Sequence, residues 1–118
     1  MNFNFLSPVS DSVLAHNELL SQQALGRRLR IHSQQNGIPD LEGVDLAILG
    51  VIENRNDVNY IGEDFNLNEI RKSLYALFPG SWNTNLADLG DINRGETVED
   101  TYFALKTTIS ILIQKGVI

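Results

Sequence analysis

The sequence predicts an α/β fold in which helices cover both faces of a parallel sheet, a three-layer α/β/α arrangement. The segment 44–52 is almost continuously apolar, which is typical of a strand buried on both faces. A shorter apolar segment follows at 85–89, and amphipathic helical patterns come after each of the two. Strands that alternate with helices in this order predict βαβα units with parallel strands.

The composition is typical of one globular domain. The chain has 118 residues, of which 42% are hydrophobic and 20% charged. The net charge of -6 argues against a nucleic-acid partner, and the one basic cluster is expected to be a solvated face or to form salt bridges. That cluster is Arg27, Arg28 and Arg30. No stretch approaches the roughly 20 apolar residues of a membrane span, and no signal peptide is apparent, so we expect a cytoplasmic protein with no membrane partner.

Residues 1–43 are expected to form a helical or irregular segment, and residues 44–118 the first βαβα units. In the first segment Ser10 precedes a helical pattern made up of Val13, Leu14, Leu20, Ala24 and Leu25. The alternation in 29–32 predicts either a short edge strand or the end of that helix. The segment 36–40 predicts a turn.

A polar loop, 53–64, follows the first strand and is longer than the usual βα connection of about 2–6 residues. Loops at the carboxyl ends of parallel strands often line a ligand crevice, and a solvated loop without a ligand is the equal alternative. The next helix is expected to begin near Asn66 or Asn68. Asn66 as N-cap would place Glu69 in the position of a capping box, and Pro79-Gly80 would end the helix.

The apolar stripe of this helix is expected to face the sheet, with Arg71 and Lys72 in solvent. Its members are Leu67, Ile70, Leu74, Leu77 and Phe78. The second strand is expected over Asn85–Leu89, broken by Gly90-Asp91.

A long helix is then predicted, with Thr97 as its N-cap and Lys115-Gly116 at its end. Glu99 and Asp100 lie in its positive first turn. Its apolar stripe is formed by Val98, Tyr102, Leu105, Ile109 and Leu112. Val117-Ile118 is expected to begin the next parallel strand, so that the chain would be a fragment of a larger protein.

The side chains that carry chemistry are few. The chain has no cysteine, which excludes disulfides, thiolate metal sites and cysteine nucleophiles. His16 and His32 lie in separate elements and do not predict a zinc site. The candidate carboxylates are Asp45, Asp88 and Asp91, for which structural roles are favoured. No glycine-rich phosphate loop and no nucleophile elbow is present.

Four segments within 26–118 together resemble the ureohydrolase family of arginase, agmatinase and formimidoylglutamase. The strand 48–51 is similar to the family's first strand, which ends in a glycine before a long loop. The segment 68–75 resembles the family's Pro-x-x-Ile-Arg-x-x-Leu helix, with Asn68 or Leu67 where proline is common. The segment 87–92 is similar to the Asp-Leu-Gly-Asp strand, and the long helix lies where the family's helix leads into a Gly-Gly-Asp-His strand.

The resemblance implies an arginase-like fold and hydrolysis of a guanidino or formimino C–N bond in a small amidine or guanidine substrate. It also implies a binuclear Mn²⁺ centre, which lowers the pKa of a bridging water. All of its ligand segments would lie downstream of Ile118, so no catalytic or metal-ligating residue is assigned to this chain, which is expected to be inactive and metal-free. Asn54 and Arg55 are expected to contact a substrate carboxylate, since arginine binds carboxylates bidentately. The segments 53–56 and 99–102 are nearest the formimidoylglutamase-like branch.

Other interpretations remain open at the level of sequence. The chain could be a non-catalytic binding or oligomerisation module, either a degenerate ureohydrolase relative or a flavodoxin-like domain. A truncated sheet would leave an edge strand and one face of the long helix uncovered, which favours a homo-oligomer.

Overall fold

The computed structural model describes residues 3–60, 62 and 65–118, whose elements form an α/β fold with a four-stranded sheet and three α-helices. In chain order the elements are β1 (Leu6–Ser7), α1 (Asp11–Glu18), β2 (Arg30–Ile31), β3 (Leu46–Val51), α2 (Asn68–Tyr75), β4 (Leu86–Ile92) and α3 (Val98–Gln114). No α-helix in these ranges is long and apolar enough to cross a lipid bilayer.

Strand β4 is the centre of the sheet, and the other three strands all pair with it. Ala87 of β4 pairs with both β2 and β3, and Ile92 of β4 pairs with both β1 and β3. Strand β3 therefore pairs along one side of β4, and β1 and β2 pair along the other side. Strands β2 and β3 run parallel to β4, whereas β1 runs antiparallel to it. The expectation of a wholly parallel sheet is therefore corrected: the sheet is mixed.

Buried apolar side chains form two clusters. The cluster that joins β4 to α3 comprises Leu41, Val44, Ala87, Leu89, Leu112 and Val117. The cluster that joins α1 to α2 comprises Val9, Val13 and Tyr75. Because successive strand residues point to opposite faces, Asp88 points away from the side chains of Ala87 and Leu89 and towards α2. This alternation brings one buried carboxylate against a helix.

Helix α2 presents to β4 a face that its hydrophobic pattern did not predict. Arg71, expected in solvent, is only 4% exposed, and Tyr75, one turn further on, is fully buried. Ile70, which was expected to face the sheet, is instead exposed, and so are Leu77 and Phe78, which lie beyond the end of α2 at Tyr75 rather than in a helix that continues to Pro79-Gly80. The reason is the buried Asp88. Leaving its carboxylate without a cationic and a hydroxyl partner would cost more free energy than burying one further aliphatic side chain of α2 would gain.

The start of α2 also differs from the prediction. Its N-cap is Leu67, and no side chain caps it, so the capping box of Asn66 and Glu69 is wrong. Asn66 instead accepts a hydrogen bond from the backbone amide of Asn68 through its side-chain oxygen, at 3.0 Å. The asparagine thus shapes the turn that leads into the helix rather than its first turn.

Strand β4 does not break at Gly90-Asp91 as predicted but continues to Ile92. Its register with β3 shifts at this point, and Gly90 has a φ of 86°, a conformation that L side chains rarely adopt. A Cβ at Gly90 would also overlap the backbone carbonyl oxygen of Ser7 in β1. The glycine therefore forms a bulge within the strand, where the sequence pattern indicated a strand end.

Helix α3 begins as predicted but buries a different stripe. Thr97 is its N-cap and forms a complete capping box with Asp100. Tyr102 and Ile109, expected in the apolar stripe, are largely exposed. The buried face consists of Thr101, Ala104, Thr108 and Leu112. Small residues there allow the helix to lie close to β4.

The remaining elements are short. Ser10 caps α1 by accepting from the amide of Ser12, and the segment at 29–32 forms the edge strand β2 rather than a helix end. On the free side of β3, the amide of Ile118 donates to the carbonyl of Asp45 at 3.0 Å, and the amide of Ala47 donates to the carbonyl of Ile118 at 2.8 Å. These two bonds have the pattern of a parallel ladder.

Candidate functional site

The carboxyl ends of the parallel strands β3 and β4 meet at one end of the sheet, where a buried ion network lies. Arg71 forms a bidentate pair with Asp88, at 2.8 Å from Nε to Oδ2 and 3.0 Å from Nη2 to Oδ1. Its Nη1 donates to Asp91 at 2.6 Å, and its Nη2 also donates to the carbonyl of Gly90 at 2.9 Å. The Tyr75 hydroxyl donates to Asp88 Oδ2 at 2.5 Å.

These contacts determine the charge states inside the network. Burial alone would lower the pKa of the Arg71 guanidinium, but the hydrogen bonds and charges of Asp88 and Asp91 outweigh it and raise that pKa. Burial, followed by the charge of Asp88 and its hydrogen bond, raises the pKa of the Tyr75 phenol. Arg71 is therefore a permanent cation between two carboxylates, and Tyr75 is a neutral hydrogen-bond donor.

Two glycines, Gly50 and Gly90, lie directly against this ion network. A Cβ on Gly50 in β3 would overlap a carboxylate oxygen of Asp91 and contact Leu67 too closely. Gly90 supplies both the bulge and an amide that donates to Asp88 Oδ1 at 3.0 Å. Residues from β3, α2 and β4 are thus interlocked, and a side chain at Gly50 would disturb the ion network, whereas one at Gly90 would overlap the backbone of Ser7.

The loop after β3 contains a second ion pair, which hydrogen bonds anchor to the start of α3. Arg55 binds Glu53 bidentately, at 2.8 Å from Nε to Oε2 and 2.5 Å from Nη2 to Oε1. The same guanidinium donates to the carbonyls of Gly95 and Glu96, at 2.9 and 2.8 Å. The buried Thr101 hydroxyl donates to Glu53 Oε1 at 2.7 Å. We call Glu53, Arg55 and Thr101 the loop anchor.

The loop anchor stabilises the charged form of Glu53. Hydrogen bonds from Arg55 are the main cause, burial opposes them, and the Thr101 hydroxyl adds to them, so that the pKa of Glu53 falls from 4.5 to about 2. The hydrogen bonds of Glu53 in turn raise the pKa of Arg55. Both groups remain ionised across the physiological pH range.

A third polar group lies at the same end of the sheet. Arg94, two residues beyond β4, donates through Nη2 to the Tyr60 hydroxyl at 3.1 Å and to the Asn54 side-chain oxygen at 3.4 Å. Its guanidinium carbon lies 5.7 Å from the centre of the Tyr60 ring, a cation–π distance. All three residues are partly exposed. We call Asn54, Tyr60 and Arg94 the rim cluster.

The two residues predicted to contact substrate, Asn54 and Arg55, occupy different environments. Asn54 belongs to the rim cluster, whereas Arg55 belongs to the loop anchor. Their contact with a substrate stays a prediction. Arg94 was not singled out from sequence, because its partners are 34 and 40 residues away in the chain. Part of the predicted loop, namely Ile61, Glu63 and Asp64, lies outside the described residues.

Other candidate residues have structural partners. The ring Nδ1 of the buried His32 is 2.9 Å from the carbonyl oxygen of Leu89, and Asp45 accepts from the backbone amide of Asn85 at 3.0 Å. His16 lies in α1, apart from these groups in the chain. Each basic-cluster arginine also contacts the protein: Arg27 pairs with Glu18, Arg28 donates to the carbonyl of Gly80, and Arg30 donates to those of Asp40 and Glu42.

The manganese centre that the resemblance implies does not fit the described residues. In 3–60, 62 and 65–118, no group of three or more histidine, aspartate or glutamate side chains is arranged to hold a metal ion. Asp88 and Asp91 come closest, but Arg71 already binds both carboxylates. Mn²⁺ favours several converging carboxylates and imidazoles. This chain therefore provides no such ligand set within those ranges.

Comparison with protein-family models, with curated proteins and with solved structures finds no match for this chain. The resemblance to ureohydrolases is therefore a resemblance of sequence segments alone.

Proposed function

We propose that this chain is the N-terminal part of a ureohydrolase-type hydrolase with an arginase-like three-layer fold. The observation that carries the proposal is the contact among three of the four segments in which the sequence resembles that family. Gly50 of the first, Arg71 of the second, and Asp88 and Asp91 of the third meet in a single buried network.

This contact matters because short sequence similarities arise easily by chance. If the similarities had arisen by chance, the residues that carry them would not be expected to contact one another in the folded protein. Here Arg71 neutralises Asp88 and Asp91, and the missing side chain of Gly50 leaves room for the Asp91 carboxylate. A change in any of these segments would leave a buried charge without its partner or create a steric overlap. The interdependence supports the interpretation that the segments are parts of one motif.

In the proposed enzyme, the manganese centre would supply a metal-activated water for attack on the planar amidine carbon. This chain contributes positioning instead. The buried network joins β3 and β4 to α2, and the loop anchor holds Glu53 and Arg55, at the start of the loop, against the start of α3. We propose that this loop lines the mouth of the substrate pocket and selects the substrate.

Metal content tests this assignment. The product of the complete reading frame that encodes this chain should retain about two equivalents of manganese after gel filtration, measured by elemental analysis. The 118-residue chain, as a matched control, should retain none. A complete product without stoichiometric manganese would count against a ureohydrolase centre. Stoichiometric manganese in the 118-residue chain would contradict the placement of the ligands downstream.

An assembly module is the second candidate, and the surface between β3 and α3 favours it. A groove of about 440 Å³ lies there, lined by Ala47, Leu49, Leu105, Ile109, Leu112, Ile113, Val117 and Ile118. We propose that a second copy of the chain covers this uncharged groove, giving a cytoplasmic homo-oligomer. Ile113→Glu should then shift the sedimentation coefficient to that of a monomer, whereas Ile70→Glu on exposed α2 should not. A wild-type chain that is monomeric at high concentration would contradict self-association.

A further inference from the structure

A cavity lies at the amino ends of the parallel strands, at the other end of the sheet from the loop after β3. Its volume is about 220 Å³, and its lining includes Leu29, just before β2, and Leu86, the first residue of β4. Strand β4 runs from Leu86 to Ile92, so at about 3.3 Å per residue its two ends are about 20 Å apart. One small molecule cannot reach from this cavity to the loop after β3. The cavity is therefore a separate place for binding.

Arg28 supplies the positive charge of this cavity. It is the only charged residue among the described residues that line it. Its guanidinium donates to the carbonyl of Gly80 at 3.3 Å, and no ion pair joins it to a carboxylate in the described part of the chain. Arg55 and Arg71, in contrast, each bind a carboxylate bidentately. An exposed guanidinium with one long hydrogen bond keeps N–H donors for a ligand.

Trp82 supplies a flat apolar surface in the same cavity. It is 48% exposed, and Leu25, Leu29 and Pro79 line the cavity with it. An indole face favours offset stacking with another planar ring, and covering a half-exposed tryptophan removes apolar area from water. A ligand that carries a ring therefore gains more from these residues than a bare anion would.

Hydrogen bonds hold the walls of the cavity in place. The amide of Leu25 donates to the carbonyl of Leu77 at 2.7 Å, which joins one wall to the chain just after α2. The Asn85 side chain donates to the carbonyl of Gly43 at 3.1 Å. The Asn85 backbone amide donates to Asp45, which is not among the residues that line the cavity. Walls that are already ordered reduce the conformational entropy lost when a ligand binds.

We propose that this cavity binds a small aromatic carboxylate, with the carboxylate on Arg28 and the ring against Trp82. The planar guanidinium fits a carboxylate, and one cation balances its single charge, whereas a phosphate dianion would be only half neutralised. The volume of about 220 Å³ is below the roughly 300–1,000 Å³ of sites for drug-sized ligands, which limits the ligand to about one ring. The site is additional to the proposed hydrolase and does not depend on it.

Intrinsic fluorescence tests the site, because Trp82 is the only tryptophan of the chain. Phenylacetate is titrated into the 118-residue chain. Phenylacetamide is the neutral comparison probe, and acetate and inorganic phosphate are the anions without a ring. We expect a saturable change in fluorescence with phenylacetate and binding at least about tenfold weaker with each of the other three.

Substitutions assign the binding to this cavity. Arg28→Gln should weaken phenylacetate binding about tenfold or more. Arg27→Gln removes the same charge from the neighbouring residue, which pairs with Glu18, and should leave binding within about twofold of wild type. Because Arg28 is exposed, its variant should fold, which circular dichroism checks. Trp82→Ala, measured by equilibrium dialysis of labelled phenylacetate, should also bind more weakly than wild type.

Four results would overturn the proposal. They are no saturable response to phenylacetate up to about 10 mM, equal binding of phenylacetamide or phosphate, unchanged binding by Arg28→Gln or Trp82→Ala, and equal weakening by Arg27→Gln and Arg28→Gln. Any of these would leave the proposed hydrolase standing, because that assignment is tested separately by the manganese content of the complete product.

Discussion

Arg71 of α2 and Asp88 of β4 form a bidentate ion pair in which the arginine side chain is 5% exposed and the aspartate side chain is fully buried. The pair joins a helix to the central strand of the sheet. Asp91 and Tyr75 satisfy further hydrogen-bonding groups of the same two residues, so each buried charge has several partners. Such a network specifies how the helix is oriented, because the face of α2 that carries Arg71 and Tyr75 supplies both partners of the buried Asp88.

Removing the guanidinium of Arg71 should strongly destabilise the folded protein. Arg71→Met keeps the length of the side chain but leaves Asp88 buried without its partner, which typically costs about 3–5 kcal/mol of unfolding free energy. Lys72→Met, at the next position of α2, removes only a surface ion pair with Glu69. It should change the free energy of unfolding by less than about 0.5 kcal/mol. Urea denaturation measures both. Equal losses in the two variants would show that the buried pair is not what orients the helix.

Gly50 should be intolerant of even one added carbon. Gly50→Ala places a methyl group against the Asp91 carboxylate and should cost about 3 kcal/mol, the upper end of the usual overpacking range. Because the overlap is with Asp91, the same substitution should cost less in an Asp91→Ala background. Gly37→Ala, at an open turn, is the control and should show no such coupling. Purely additive effects of Gly50→Ala and Asp91→Ala would contradict the contact.

The loop anchor should make stability depend on pH in a specific window. Because folding lowers the pKa of Glu53 from 4.5 to about 2, its stabilisation is complete above pH 4.5 and is lost as the pH falls towards 2. The Glu53→Gln variant lacks the titrating carboxyl group, so its stability lacks this dependence on pH. The difference in Tm between wild type and Glu53→Gln should therefore be largest above pH 5 and shrink towards zero near pH 2. A difference that stays constant over this range would remove Glu53 as an ionised anchor.

The capping box of α3 should contribute a smaller amount. Thr97→Ala removes the hydroxyl that accepts from the Asp100 amide at 3.1 Å and should cost about 1 kcal/mol. Ser110→Ala, on the exposed face of the same helix, should be neutral or slightly stabilising because alanine has the higher helix propensity. Thermal unfolding of the two variants tests the cap, and a Thr97→Ala protein as stable as wild type would contradict it.

Local signals predicted the longer elements well. The apolar run of β3 and the Thr97 cap of α3 are properties of adjacent residues, and the structure confirms both elements. The two-residue strand β1 left no pattern to detect, and its antiparallel pairing makes the sheet mixed. Gly90 was interpreted as a strand breaker, since its role in a bulge depends on pairing with another strand.

The least predictable features depend on contacts distant in sequence. Arg71 was assigned to solvent because helical periodicity counts apolar residues and does not register a buried carboxylate 17 residues away. The spacing of Arg71 and Tyr75 by four residues placed both on one face and was a usable signal. The sequence contains no comparable signal for Arg94, because its contacts with Asn54 and Tyr60 form only when the loop after β3 folds over the end of β4.

Manganese-dependent turnover tests the central claim most directly. The product of the complete reading frame is assayed for release of urea, ammonia or formamide from arginine, agmatine and formimidoylglutamate, with the metal-depleted protein and the 118-residue chain as controls. We predict hydrolysis of one of these substrates by the manganese-loaded complete product and none by either control. No turnover of any of them with manganese, by a folded complete product, would contradict the assignment to the ureohydrolases.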